Sequence, residues 1–196
     1  MPNSAHAFTF IISLAAVVNG MGIVRLLTAL SEFLRFRNKA KIDHYWVYSC
    51  FASLQLVLHI FFWWSLWSLR SLESFNFFKY LYLLIGPTLL FLATSLLVPA
   101  LDGQRLNMKE IYYNNKKTFF TVMSLVWLWG IMLRPITRNE FGETLPLFLF
   151  FLISSLLLRI ADYPKVNAAL ALFQWAVLLV FIVFFGLELG DLSTKF

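Results

Sequence analysis

The chain has 196 residues, of which 60% are hydrophobic and only 13% charged, with a mean hydropathy of +0.76. A soluble domain of this length needs far more polar surface, so the composition excludes an ordinary water-soluble protein and points to the integral membrane class. The net charge of +6 is not read as a nucleic-acid signal, because the cations collect in short connections beside apolar runs.

A bilayer core about 30 Å thick needs roughly 20 apolar residues of helix. Six runs stand out in chain order: 8–30, 46–67, 77–100, 119–137, the shorter 145–161, and 167–187. They are continuous rather than alternating, and hydrocarbon tolerates only helices or closed barrels. The predicted fold class is therefore all-α, a single integral membrane domain over 1–196 built as a polytopic bundle of six transmembrane helices.

The first run is preceded by no Lys or Arg, so it lacks the basic start of a cleavable signal peptide and reads as a retained helix. Ser13, Ala16, Asn19, Gly20 and Gly22 give it a small, polar surface suited to close helix approach, with a cavity wall as the alternative. Arg25 is expected to snorkel and to pair with Glu32 two turns on, with anion or headgroup binding as the other reading.

The second run contains LQLVLHIFFWWSLW, in which Gln55 and His59 share one helix face at i, i+4. His59 stands about eight residues from the helix end, roughly 12 Å deep and near the midplane. An imidazole there serves either as a proton relay or ligand group, or as an interhelical hydrogen-bond partner worth on the order of 0.6 to 2 kcal/mol. Trp63, Trp64 and Trp67 suit an interfacial aromatic belt. Cys50, the single cysteine, has no partner for a disulfide or a metal site.

In the third run Pro87, after Gly86, removes one backbone donor and predicts a kink. The stretch 101–118, LDGQRLNMKEIYYNNKKT, has room for structure of its own: an interfacial helix, an extension of the fourth helix, or a solvated linker. Its Tyr112–Tyr113 pair and lysines suit the headgroup level. Pro135 and Pro146 are expected to mark the ends of the fourth and fifth helices, and Gln174 in the sixth to meet Gln55 or His59 across the bundle. SLAAVVNGMGIVR in the first helix and SLVWLWGIMLR in the fourth look alike, but the match needs a gap and is taken as chance.

Orientation follows from the loop cations. Arg35, Arg37, Lys39, Lys41, Arg105, Lys109, Lys116, Lys117, Arg159 and Lys165 fall on one side. Arg70, Lys79, Arg134, Arg138 and Lys195 fall on the other. The richer side is assigned to the cytoplasm, which puts both termini outside.

Much familiar chemistry is missing. No helix carries regularly spaced arginines, no TVGYG-like filter is present, and no acidic pair lies within a span. There is no nucleophile motif, phosphate loop or HExxH, so no enzyme activity, catalytic residue, metal or cofactor is expected.

The stretches HYWVYS, LQLVLHIFFWWSLWSLR and LNMKEIYYNNKKTFF together resemble an uncharacterised family of bacterial six-helix inner-membrane proteins of about this length. That family carries a Trp-Trp-x-x-Trp pattern and a loop with Tyr-Tyr, Lys-Lys and Phe-Phe. The resemblance covers nearly the whole chain. It implies a bacterial inner-membrane location and a six-helix bundle, and it supplies no activity and no catalytic residues.

Two functions remain open from the sequence. The first is a membrane-embedded scaffold or partner subunit in which Asn19, Gln55, His59 and Gln174 are interhelical glue. The alternative is a small transporter or channel whose mid-membrane site those residues line. Arg25 completes the set of intramembrane polar candidates. The expected partners are the lipid bilayer and either a second copy or another membrane protein, with no nucleic acid.

Overall fold

The computed structural model describes residues 4–36, 42–66, 76–98, 106–138 and 141–185. Six helices account for nearly all of them: α1 (Ser4–Phe36), α2 (Trp46–Leu66), α3 (Phe77–Leu97), α4 (Met108–Arg138), α5 (Leu145–Ile160) and α6 (Pro164–Phe185). Two short strands, β1 (Ile42–Asp43) and β2 (Leu106–Asn107), pair in parallel, with Ile42 opposite Leu106 and Asp43 opposite Asn107. All the helices but α5 are long and apolar enough to cross a membrane. At 16 residues α5 is about 24 Å long.

The helices form because long apolar runs satisfy their own backbone hydrogen bonds only in this way. The chain has no clear inside-outside polarity. Val24, Leu172, Val180 and Val183 are more than half exposed, while Phe51, Leu90 and Leu158 are buried. An apolar surface all round is the mark of a helix that meets lipid on one side and protein on the other.

α3 packs on α4, α4 on α5, α5 on α6, α6 on α2 and α2 on α3, which closes a ring of five helices. α1 lies outside the ring, across α2 and α3. The ring is held largely by aromatic packing. Trp127 stacks on Phe151 at 4.5 Å, and Phe51 stands edge-on to Phe120 at 5.1 Å. Such pairs add to simple burial. Tyr82 and Trp129 bind reciprocally: the Tyr82 hydroxyl donates to the Trp129 carbonyl at 2.7 Å, and the Trp129 indole N–H donates to the Tyr82 carbonyl at 2.8 Å. The indole crosses over Gly86, where a Cβ would come within 2.5 Å of its ring. Pro87, next in α3, is buried, and α3 runs through it.

One end of the bundle is tied together by polar contacts. The β1–β2 pair sits there, the Tyr48 hydroxyl donates to the Leu97 carbonyl at 2.7 Å, and Lys116 donates to the α5–α6 turn. The starts of α2 and α4, the end of α3 and that turn therefore share one level.

Of three expectations, the first had several alternatives, the second is overturned and the third holds. The stretch 108–118 is an extension of α4, neither a separate helix nor a linker, because Tyr112, Lys116 and Phe119 on one face of it are buried against the bundle. Pro135 does not end the fourth helix: α4 continues to Arg138, since a proline near a helix end removes only one internal bond. Pro146 stands in the first turn of α5, where its missing N–H has no partner to lose. Trp67, Arg37, Lys39, Lys41, Arg70, Arg105, Lys195, the far ends of the third and sixth runs, and residues 101–105 lie outside the described residues.

Candidate functional site

His59 is wholly buried and is the centre of a polar cluster between α1, α2 and α3. Its Nδ1 lies 2.7 Å from Asn19 Oδ1, and its Nε2 lies 2.9 Å from Thr94 Oγ1. Asn19 Nδ2 donates to the His59 carbonyl at 3.0 Å. These contacts fix the proton positions. A carbonyl only accepts, so the amide nitrogen of Asn19 must face it, and Oδ1 must face the ring. Oδ1 in turn only accepts, so Nδ1 carries the hydrogen. In the uncharged ring Nε2 then accepts from the Thr94 hydroxyl. Every polar group of the Asn19–His59–Thr94 set has a protein partner.

One turn earlier, Gln55 Nε2 donates to the Leu90 carbonyl of α3 at 3.1 Å. The i, i+4 pair of α2 thus grips α3 at two levels. Gly22 of α1 lies against the imidazole at Cε1 and Nε2, where a Cβ would come within 2.5 Å of Nε2. The inward face of α1 is Ala15, Asn19, Gly22 and Leu26. This corrects the predicted small surface in part: a Cβ on Gly20 would meet nothing within 4 Å, Ser13 is exposed, and Ala16 is only half-buried. Thr94 was missed from sequence. Its only signal was a hydroxyl in an apolar run, which more often bonds its own helix.

The other candidates stand apart from this cluster. Gln174 does not meet Gln55 or His59. It donates to Ser154 Oγ of α5 at 2.6 Å. α6 reaches α2 through Trp175, whose indole N–H donates to the Cys50 carbonyl at 3.0 Å. That contact occupies a different face of α2. Arg25 is exposed, and the described residues include no Arg25–Glu32 ion pair. Two helical turns separate those residues by about 10 Å, beyond direct contact.

A third polar group ties α4 to the α5–α6 turn. Lys116 is 2% exposed, and its ammonium donates to the Ala161 carbonyl and to Asp162 Oδ1, the latter at 3.2 Å. Asn167 Nδ2 donates to the same Ala161 carbonyl at 2.9 Å, and Asn167 Oδ1 accepts from the Tyr112 hydroxyl at 2.8 Å. A cation at the C-terminal end of α5 suits the negative end of the helix dipole.

Chemically the His59 cluster offers a hydroxyl beside an imidazole, the spacing of a nucleophile and its base. Neither Thr94 nor His59 has any exposed surface, so no substrate reaches them in this structure. The described residues hold no group of three His, Cys, Asp or Glu able to bind a metal ion. An apolar cavity of about 120 Å³ lies inside the ring, and none of Asn19, Arg25, Gln55, His59 and Gln174 lines it. The chain matches no protein-family model, no curated protein and no solved structure.

Proposed function

We propose that this chain is a six-span integral membrane protein that acts as a scaffold or partner subunit, without enzymatic activity, and that Asn19, Gln55 and His59 serve as a polar lock among α1, α2 and α3. The observation that carries the reading is the complete burial of His59 with both ring nitrogens bonded across the bundle. A transport residue must meet an aqueous path; a residue of this kind holds helices together.

The sixth span is α5. It packs on α4, from Gly142 beside Arg134 at one end to Ala161 bonded to Lys116 at the other. A span of about 24 Å is accommodated by local thinning of the bilayer. The location is the inner membrane of a bacterium, within the family that the Trp-Trp-x-x-Trp pattern resembles. The basic connections face the cytoplasm and both termini lie outside, a reading supported by the excess of Lys and Arg at one set of loops. The partners are the bilayer and a second copy or another membrane protein.

Aqueous labelling at position 59 tests the lock. In a Cys50→Ala background, His59→Cys is treated with a charged, impermeant thiol reagent from each side of the membrane. Ile60→Cys is the lipid-facing reference, since Ile60 is 53% exposed whereas Leu58 is buried and lines the cavity. Tyr163→Cys, at an exposed turn, reports that the reagent works. The expected result is labelling at 163 and none above the Ile60→Cys level at 59. Strong labelling at 59, in a protein that melts like its parent, overturns the lock and makes transport the leading reading.

A further inference from the structure

The cavity inside the ring has one polar end. Its deep wall is Leu58, Leu90, Val126, Trp127, Phe151 and Leu178. Toward the α4–α5 turn, at the end of the bundle away from the β1–β2 pair, Arg134, Thr137 and Thr144 join the lining. Gly142 allows the turn to close over the Arg134 stem: a Cβ there would lie 2.6 Å from Arg134 Cδ. α5 begins just beyond Thr144, so the positive end of its dipole faces the same region.

We propose that this cavity takes one acyl chain of an anionic phospholipid drawn from the bilayer, with the lipid phosphate held by Arg134. An apolar cavity is a poor site for water: one of roughly 150 Å³ engineered in another protein stays dry and takes benzene instead. The walls here are aliphatic and aromatic, and an empty space of this size forfeits dispersion contacts along its lining. A chain that enters between the helices restores them. Arg134, the one cation among the described residues of the lining, then selects the headgroup. A guanidinium has five N–H donors in a planar fork, enough to serve a protein acceptor and a phosphate together. Thr144 supplies a hydroxyl at the same level, whereas the Thr137 hydroxyl donates to the Leu133 carbonyl of its own helix at 2.7 Å. None of the residues of the His59 lock takes part, so lipid binding and the lock are separate properties of the fold.

The inference rests on the membrane reading, which has its own test: the protein stays in the membrane pellet after an alkaline carbonate wash. Lipid binding is measured on the full chain in detergent by native mass spectrometry, titrated with phosphatidylglycerol, with phosphatidylcholine, and with inorganic phosphate as competitor. One phosphatidylglycerol per chain is expected, with phosphatidylcholine weaker. Arg134→Gln raises the Kd for phosphatidylglycerol about tenfold, equivalent to about 1.4 kcal/mol. Val126→Phe, which fills the deep wall, removes the bound lipid, and Leu178→Phe does the same should the first variant fail to fold. Phosphatidylglycerol retained equally by the folded filling variants places the lipid on the outer surface and overturns the proposal. Unchanged affinity in Arg134→Gln overturns the headgroup assignment. Full displacement by inorganic phosphate assigns the site to a free anion and overturns the acyl-chain assignment.

Discussion

Gly22 of α1 and His59 of α2 are in direct contact, and the contact leaves no room for a side chain: a Cβ at 22 would come within 2.5 Å of the imidazole Nε2. The ring is not the loose end of a flexible side chain. Asn19 and Thr94 hold its two nitrogens from either side. The backbone of α1 therefore passes close to α2 because position 22 is glycine, and the same approach brings Asn19 within reach of both the His59 ring and its carbonyl.

Gly22→Ala should destabilise the protein by about 1–3 kcal/mol, the usual effect of overpacking a well-filled core. Either α1 moves off α2 or the imidazole gives up a hydrogen bond. Gly20→Ala is the control, since a Cβ there meets nothing within 4 Å, and its effect should be neutral or mildly stabilising. Thermal unfolding of both variants in the same detergent compares them. Equal melting temperatures would show that the approach at Gly22 is not tight.

Asn19 and His59 should be energetically coupled. Asn19→Leu and His59→Phe each leave a buried polar group without its partner, and the double variant removes both. A double-mutant cycle should return a coupling of about 1 kcal/mol, within the roughly 0.6 to 2 range for polar contacts between membrane helices. Additive effects would mean that the hydrogen bond between the Asn19 amide oxygen and the His59 ring contributes nothing, and the lock would lose its basis.

Lys116 and Asp162 form an ion pair whose two sides are unlike: the lysine side chain is 1% exposed and the aspartate 80%. Burial and the Ala161 carbonyl, rather than the pair, should hold the lysine in place. Lys116→Ala should cost about 2–3 kcal/mol through lost packing and a lost charge-assisted hydrogen bond. Asp162→Asn should cost less than about 0.5 kcal/mol, as exposed partners in ion pairs do. Chemical denaturation at low and high salt reads both. Equal losses that shrink together in salt would assign the stability to the ion pair.

Much of the architecture is written in local features of the chain. The lengths and uninterrupted apolarity of 46–67, 77–100, 145–161 and 167–187 led to α2, α3, α5 and α6 over the described residues, because a run that has to bury its backbone in hydrocarbon has no regular choice but a helix. The i, i+4 spacing of Gln55 and His59 likewise put them on one face, and both do grip α3. The start of α4 at Met108 was harder to read, since Tyr112 and Lys116 look interfacial by composition and are buried by packing.

What only the tertiary structure decided is partnership. Gln174 and Gln55 are alike in sequence, each a glutamine within an apolar span, yet one meets Ser154 and the other the Leu90 carbonyl. Thr94 became a partner of His59, and Gly22 rather than Gly20 became the contact glycine. Apolarity sets that a segment is a helix and roughly where it ends. It leaves the rotation of that helix and the order of its neighbours to side-chain packing over the whole bundle, and those two quantities choose every hydrogen bond between helices.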